Sequence, residues 1–145
     1  MALGKGSWKN QFFLYENASD FHNKLREIFC TDPYFKQLQC FQEVAMSSLV
    51  LDYPNNNDAV DWYIESLRLV IELHGEQHYR PVSFTNQSYS EKMTNYHNIV
   101  YRDNRKKTYL LDNGYMYIEI PYKLKSKLNA EMLKQIIYEY GDEDG

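Results

Sequence analysis

Asp61, Glu72, His74, His78 and Asp103 are the side chains whose types and spacing suit acid–base and metal-assisted chemistry. Asp61 and Glu72 fall in two apolar runs, Val60 to Ile64 and Arg68 to His74, separated by Glu65-Ser66-Leu67. If this is a β-hairpin with Ser66 and Leu67 as a two-residue turn, residues at equal steps from the turn lie opposite one another, which pairs Asp61 with Glu72. A strand pair tolerates facing carboxylates only if one is protonated, a base intervenes or a divalent cation sits between them. The alternative is a solvated strand face with two exposed acids and no metal. Against it stands LVIELHGEQHY, an apolar strand that ends in Glu-Leu-His-Gly and then presents a second histidine. Hard cations such as Mg²⁺ take oxygen ligands, so Asp61, Glu72 and the backbone carbonyl of Leu73 form the expected metal set. A histidine titrates near neutral pH, which makes His74 or His78 the expected proton-transfer group.

Positioning these residues needs a sheet and the helices that cover it. Alternation along the second strand puts His74 on the face of Glu72, while Leu69, Ile71 and Leu73 point to the other face and the core. A first helix is expected over Asp20 to Phe29, with Ser19 as N-cap and Phe21, Leu25, Ile28 and Phe29 on one face. Asp32-Pro33 reads as an N-cap and first-turn proline opening a short connector through Leu38. The run from Cys40 to Leu51 reads as a strand, followed by a polar loop at Asn55-Asn56-Asn57. After Gly75 the residues to about Lys92 have no clear period and read as a functional loop. A long helix is expected from about Ser90 to Asn113, with Met93, Tyr96, Val100, Lys107, Leu110 and Leu111 as a loose stripe and Gly114 as its stop. Tyr115 to Ile120 reads as a strand ended by Pro121. Asn129 then caps a last helix with the stripe Met132, Leu133, Ile136 and Ile137. The order is αβββαβα, an α/β (α+β) mixed sheet with helices on its faces and the acid-bearing strands at its centre.

The chain has 145 residues, 43% of them hydrophobic and 16% aromatic, which fits one domain with its own core and excludes a disordered class. No apolar run reaches the ~18 residues of a membrane span, and MALGKGSWKNQFF lacks a signal-peptide pattern, so cytoplasm is the expected compartment and no membrane partner is expected. Cys30 and Cys40 are too few for a disulfide scaffold or a four-thiolate zinc site. They read, with Trp8, as core. The formal net charge of −4 argues against binding nucleic acid by bulk charge alone, but Arg102 to Lys107 and Lys123 to Lys127 are local basic clusters.

Taken together, VDWYIESLRLVIELHGEQHY and YRDNRKKTYLLDNGYMYIEIPYK resemble the Vsr-like branch of the PD-(D/E)XK nucleases, over residues 60–123. That branch includes very-short-patch repair nicking endonucleases, related homing endonucleases and small phage nucleases. The resemblance implies a restriction-endonuclease-like αβββαβ core, here with an added C-terminal helix, and metal-dependent cutting of DNA. It matches Asp61 to the strand aspartate, Glu72 to the acid of the (D/E)XK triplet, His74, Gly75 and His78 to an HG-x-x-H run, and Arg102 and Asp103 to an Arg-Asp pair. His74 stands where the triplet has lysine. Some members use an acid on the first helix, for which Asp20 and Glu27 are both candidates.

The expected function is therefore a small DNA endonuclease of phage or mobile-element type, acting in a bacterial or phage-infected cell. Mg²⁺, replaceable by Mn²⁺, is the expected cofactor. Asp103 would orient a catalytic histidine, the alternative being an ordinary ion pair with Lys106 or Lys107. Gln77, Arg80, Arg102, Lys106 and Lys107 are the expected DNA contacts, with Tyr79, Phe84 and Tyr89 in the same loop. A second reading is a nuclease fold that binds nucleic acid or a partner protein without cutting. A third is a protein that cuts only as a homodimer or within a larger DNA-processing assembly.

Overall fold

A computed structural model describes residues 20–74 and 88–144. The expected Ser19 cap and Trp8 lie outside them, as do Gly75, Gln77, His78, Tyr79, Arg80 and Phe84 of the loop. The elements run α1 (Asp20–Thr31), α2 (Pro33–Lys36), β1 (Cys40–Ala45), α3 (Met46–Leu49), β2 (Ala59–Ile64), β3 (Leu69–His74), α4 (Tyr89–Asp112), β4 (Met116–Pro121) and α5 (Ala130–Asp144). With the single-turn helices α2 and α3 set aside, this is the expected αβββαβα order. Four strands form one mixed sheet in the order β1-β2-β3-β4, antiparallel except for the parallel pair β3 and β4 that α4 connects. The acid-bearing β2 and β3 are its centre. Among the described residues no helix is long and apolar enough to cross a membrane.

Both faces of the sheet are covered. On one, Leu69, Ile71 and Leu73 join Trp62, Ile64, Ile118 and Ile120 against Phe21, Leu25, Ile28 and Phe29 of α1 and Leu133 of α5. On the other, Phe41, Tyr63, Val70 and Tyr117 pack with Leu110 of α4 and with Met46, Leu49, Val50 and Tyr53. The caps follow the sequence: Asp32 accepts from the backbone N–H of Tyr34 and Phe35, and Asn129 accepts from Met132. Ser88 caps α4, two residues before the expected start, and Gly114 ends it at φ +82°.

Three local expectations are corrected. The strand from Cys40 stops at Ala45, because Met46 and Leu49 turn into the core as one helical turn whose Met46 N–H bonds to Asp58. A continuous apolar run does not by itself separate strand from buried helix. The hairpin turn is a 3₁₀ segment, Glu65–Leu67, closed by Arg68 in the left-handed region, rather than a two-residue loop. Arg68 is held there by the Tyr115 ring, 4.2 Å away, and by the Asn113 carbonyl. Two- and four-residue loops centred on the same peptide bond give the same register, so Ile64 pairs with Leu69, Tyr63 with Val70 and Trp62 with Ile71, as expected. Cys40 is buried, but Cys30 is exposed on α1.

Candidate functional site

Asp61 and Glu72 meet where the regular β2–β3 ladder ends. Beyond the Trp62–Ile71 pair, side chains take over from backbone: the Asp61 N–H donates to Glu72 Oε2 at 3.2 Å and the Leu73 N–H donates to Asp61 Oδ2 at 2.7 Å. On the other side Asp61 faces Glu43, which sits at φ +56° between the Gln42–Trp62 and Val44–Val60 pairs. At this point both strands change sides, since Val44 and Val60 join the core of Phe41 and Tyr63 instead of that of Cys40 and Trp62. The kink turns the Asp61 carboxylate out of the sheet, with its side chain 22% exposed, while Glu72 is only 2% exposed.

The face carrying Glu72 and His74 is closed by α4, not open to solvent. Three buried residues of α4 at helical spacing, Asp103, Lys106 and Leu110, lie on it. Leu110 packs in the Val70 cluster, Lys106 Nζ lies 2.5 Å from Glu72 Oε1, and Asp103 Oδ2 lies 3.9 Å from His74 Nε2. Thus Asp103 lies beside His74, but His74 is 4% exposed and its other nitrogen lies 3.5 Å from Glu119. It does not line the Asp61 cleft.

Lys106 also departs from expectation. It is buried at 5% exposure, donating to Glu72 and to the Ala59 carbonyl, and so is not an exposed phosphate contact. Burial of two carboxylates demands a cation, and α4 supplies it. Lys107, one residue on, points elsewhere, 3.9 Å from Glu119 and over the Tyr117 ring. The expected Met93–Tyr96–Val100 stripe of α4 is only half-buried. Its position in the core is taken by the polar residues Asp103 and Lys106.

The cleft over the carboxylates has a volume of about 690 Å³ and takes in Asp20 and His22 of α1, Glu43, Asp58, Asp61, Glu72, Arg102, Lys106 and Lys125. Of the two first-helix acids, Asp20 lines it, while Glu27 lies at a separate hollow with Thr31 and Pro33. Sequence reasoning missed His22, whose Nε2 lies 3.6 Å from Asp61 Oδ1 and whose Nδ1 meets the buried Gln42 amide at 3.4 Å. Its position next to Phe21 carries no signal beyond an ordinary polar helix residue. Asp58, also missed, binds Arg105 and the Tyr53 hydroxyl and so fixes the 53–58 loop to α4.

The electrostatics follow from this burial. Desolvation, and next the charge of Asp61, push the Glu72 carboxyl up to about 8 against the pull of Lys106. Desolvation also raises Asp61, against its hydrogen bonds to Glu72 and the Leu73 N–H. Burial works against the Lys106 charge, but Glu72, Asp61 and Asp103 outweigh it and raise its pKa. Near neutral pH the cluster keeps its lysine charged and holds an extra proton between the two carboxylates. Burial lowers His22, against the carboxylates of Glu43 and Glu72.

Two carboxylates at the cleft, with Leu73 among the lining residues, offer oxygen donors of the kind that a hard divalent cation takes. Among the described residues no group of three or more His, Cys, Asp or Glu side chains is arranged to hold a metal unaided. Water and substrate oxygens commonly complete such a shell. Comparison with known proteins returned no match among family models, curated proteins or solved structures.

Proposed function

We propose that this protein is a small divalent-metal-dependent DNA endonuclease whose site is the Asp61–Glu72–Lys106 cleft. The observation that carries the reading is the convergence, from three separate elements, of two carboxylates with raised proton affinity and one buried lysine at the floor of an open cleft. Structural ion pairs also perturb pKa values, but a cluster of this kind inside a cleft is where catalytic groups concentrate. The residues fit Mg²⁺, with Mn²⁺ as a substitute, held by Asp61, Glu72 and the Leu73 carbonyl. When bound, such a cation polarises a phosphoryl oxygen and acidifies a water molecule.

The chain's own groups supply the rest. Lys106 reaches Glu72 from α4, giving the cluster the ammonium that His74 does not provide from the strand. Arg102, exposed among the residues that line the cleft, supports the reading as a contact for a non-bridging phosphate oxygen. Water oxygen attacks phosphorus and gives up a proton, the P–O bond to the leaving strand breaks, and the leaving oxygen takes up a proton, so that one water is divided between the phosphate and hydroxyl ends. Of the described histidines, His22 rather than His74 or His97 lines this cleft. His78, Gln77 and Arg80 remain candidates from sequence alone.

The competing reading, a nuclease fold that binds DNA or a protein without cutting, draws on the Lys106–Glu72 contact, which neutralises one carboxylate internally. Plasmid nicking in Mg²⁺ separates the two. Wild type cuts supercoiled DNA and Asp61→Asn does not, while both melt cooperatively. Cleavage retained by Asp61→Asn, or absent from folded wild type, overturns the endonuclease reading.

A further inference from the structure

We propose that Lys123, Lys125 and Lys127, on the turn after β4, form with Arg102 a phosphate-binding rim that carries a DNA backbone across the Asp61–Glu72 cleft. The inference rests on the nuclease reading and adds to it the path of the substrate.

The basic side chains around the cleft divide into two sets. Lys106 is consumed by Glu72, Arg105 by Asp58 and the Tyr53 hydroxyl, and Lys107 lies beside Glu119. Arg102, Lys123, Lys125 and Lys127 are exposed, and none makes an ion pair among the described residues. Arg102 and Lys125 both line the cleft that holds Asp61 and Glu72, one from α4 and one from the turn. Asp61 and Glu72 therefore lie at the cleft with Arg102 and Lys125 beside them, and Lys123 and Lys127 flank Lys125 on the same turn. Such a distribution attracts phosphates to either side of the floor, where a chain of net charge −4 would otherwise repel them.

The turn is braced as a binding element requires. The Lys125 N–H bonds to the Tyr122 carbonyl at 3.1 Å and the Lys127 N–H to the Leu124 carbonyl at 3.0 Å. Lys24 of α1 donates through Nζ to the Lys125 carbonyl at 2.6 Å, tying two elements a hundred residues apart. Ile120 and Leu128, both buried, anchor the two ends of the segment. A rim fixed in this way loses little conformational freedom on binding.

Salt dependence tests the rim, because each phosphate that the protein no longer neutralises lowers the slope of log Kd against log salt by about 0.9. Anisotropy of a short fluorescein-labelled duplex, in CaCl₂ to prevent cutting, is measured over a KCl series. For the triple variant Lys123→Ala, Lys125→Ala, Lys127→Ala the slope falls by about 2 to 3, while Lys36→Ala, at an exposed lysine of α2 outside the cleft lining, keeps the wild-type slope and both variants keep the wild-type melting curve. An unchanged slope in the triple variant overturns the rim and leaves the nuclease reading standing. A slope lowered as much per residue in Lys36→Ala shows a general charge effect and also overturns it. Wild type that binds no duplex at all overturns the rim and the nuclease reading together.

Discussion

Replacing Glu72 by glutamine changes how stability depends on pH, and the structure sets the size of the change. Glu72 is buried beside Asp61 and its pKa is raised from 4.5 to about 8. An acid that holds its proton more tightly in the fold binds more protons folded than unfolded, so stability is full below pH 4.5 and falls as pH rises towards 8. The slope is about 1.4 kcal/mol per pH unit, which makes the Glu72 contribution at pH 7 a loss of about 3 kcal/mol relative to pH 4.5. Glutamine keeps the shape and can still accept from Lys106 but has nothing to titrate. Urea unfolding at a series of pH values, without divalent cations, is the assay. The wild type loses about 3 kcal/mol more than Glu72→Gln between pH 4.5 and 7, and the two differ little more above pH 8. Parallel stability curves would refute the raised affinity and with it the charge shortage on which the proposed metal site depends. Adding Mg²⁺ to the wild type should stabilise it most at the alkaline end, since the cation competes with the shared proton. Glu72→Gln should show a smaller gain.

Two further substitutions separate packing from charge. Lys106→Met removes the buried cation, which costs about 3–5 kcal/mol above pH 8, where Glu72 is ionised in the fold, and clearly less near pH 6, where it is protonated; urea midpoints on the two sides of pH 8 check this. Gly114 adopts φ +82° with no atom within 4 Å of the point a Cβ would occupy, so Gly114→Ala costs only the left-handed backbone strain, about 1 kcal/mol. Gly114→Asn costs less, and a difference scan of thermal unfolding resolves the two.

Most of the scaffold was legible because it follows from periodicity and punctuation. Phe21, Leu25, Ile28 and Phe29 share a helix face, Asp32-Pro33 and Asn129 mark helix starts, and Gly114 marks a stop, all as the structure has them. What failed was decided by tertiary contacts. Met46 to Leu49 reads as apolar strand, yet it turns helical because the Met46 N–H finds the Asp58 carbonyl and the Leu49 carbonyl finds the Tyr115 hydroxyl. Cys30 reads as core by type alone, but its place on α1 lies off the Phe21–Leu25–Ile28 face.

Site residues failed for a related reason. A hydropathy stripe cannot reveal a helix that turns Asp103 and Lys106 inward, because burying them makes sense only once Glu72 and His74 lie opposite. Hairpin arithmetic brought Asp61 to Glu72, but only the kink at Glu43 turned Asp61 into a cleft shared with His22. That arrangement bears on why the cluster exists. A buried Asp–Glu–Lys group is rarely an efficient source of stability, since apolar residues of similar volume commonly serve as well or better. Here it also carries the unfavourable titration of Glu72 at neutral pH. Residues that cost stability in the middle of a sheet, at the floor of an open cleft, are what the proposed metal-binding role would account for. Combining Asp61→Asn, Glu72→Gln and Lys106→Met, which keeps acceptors for the N–H groups of Leu73 and residue 61, therefore gives a protein at least as stable as wild type at pH 8, and one that no longer gains stability from Mg²⁺ or cuts DNA. A triple variant that unfolds more readily than wild type would make the cluster a structural one.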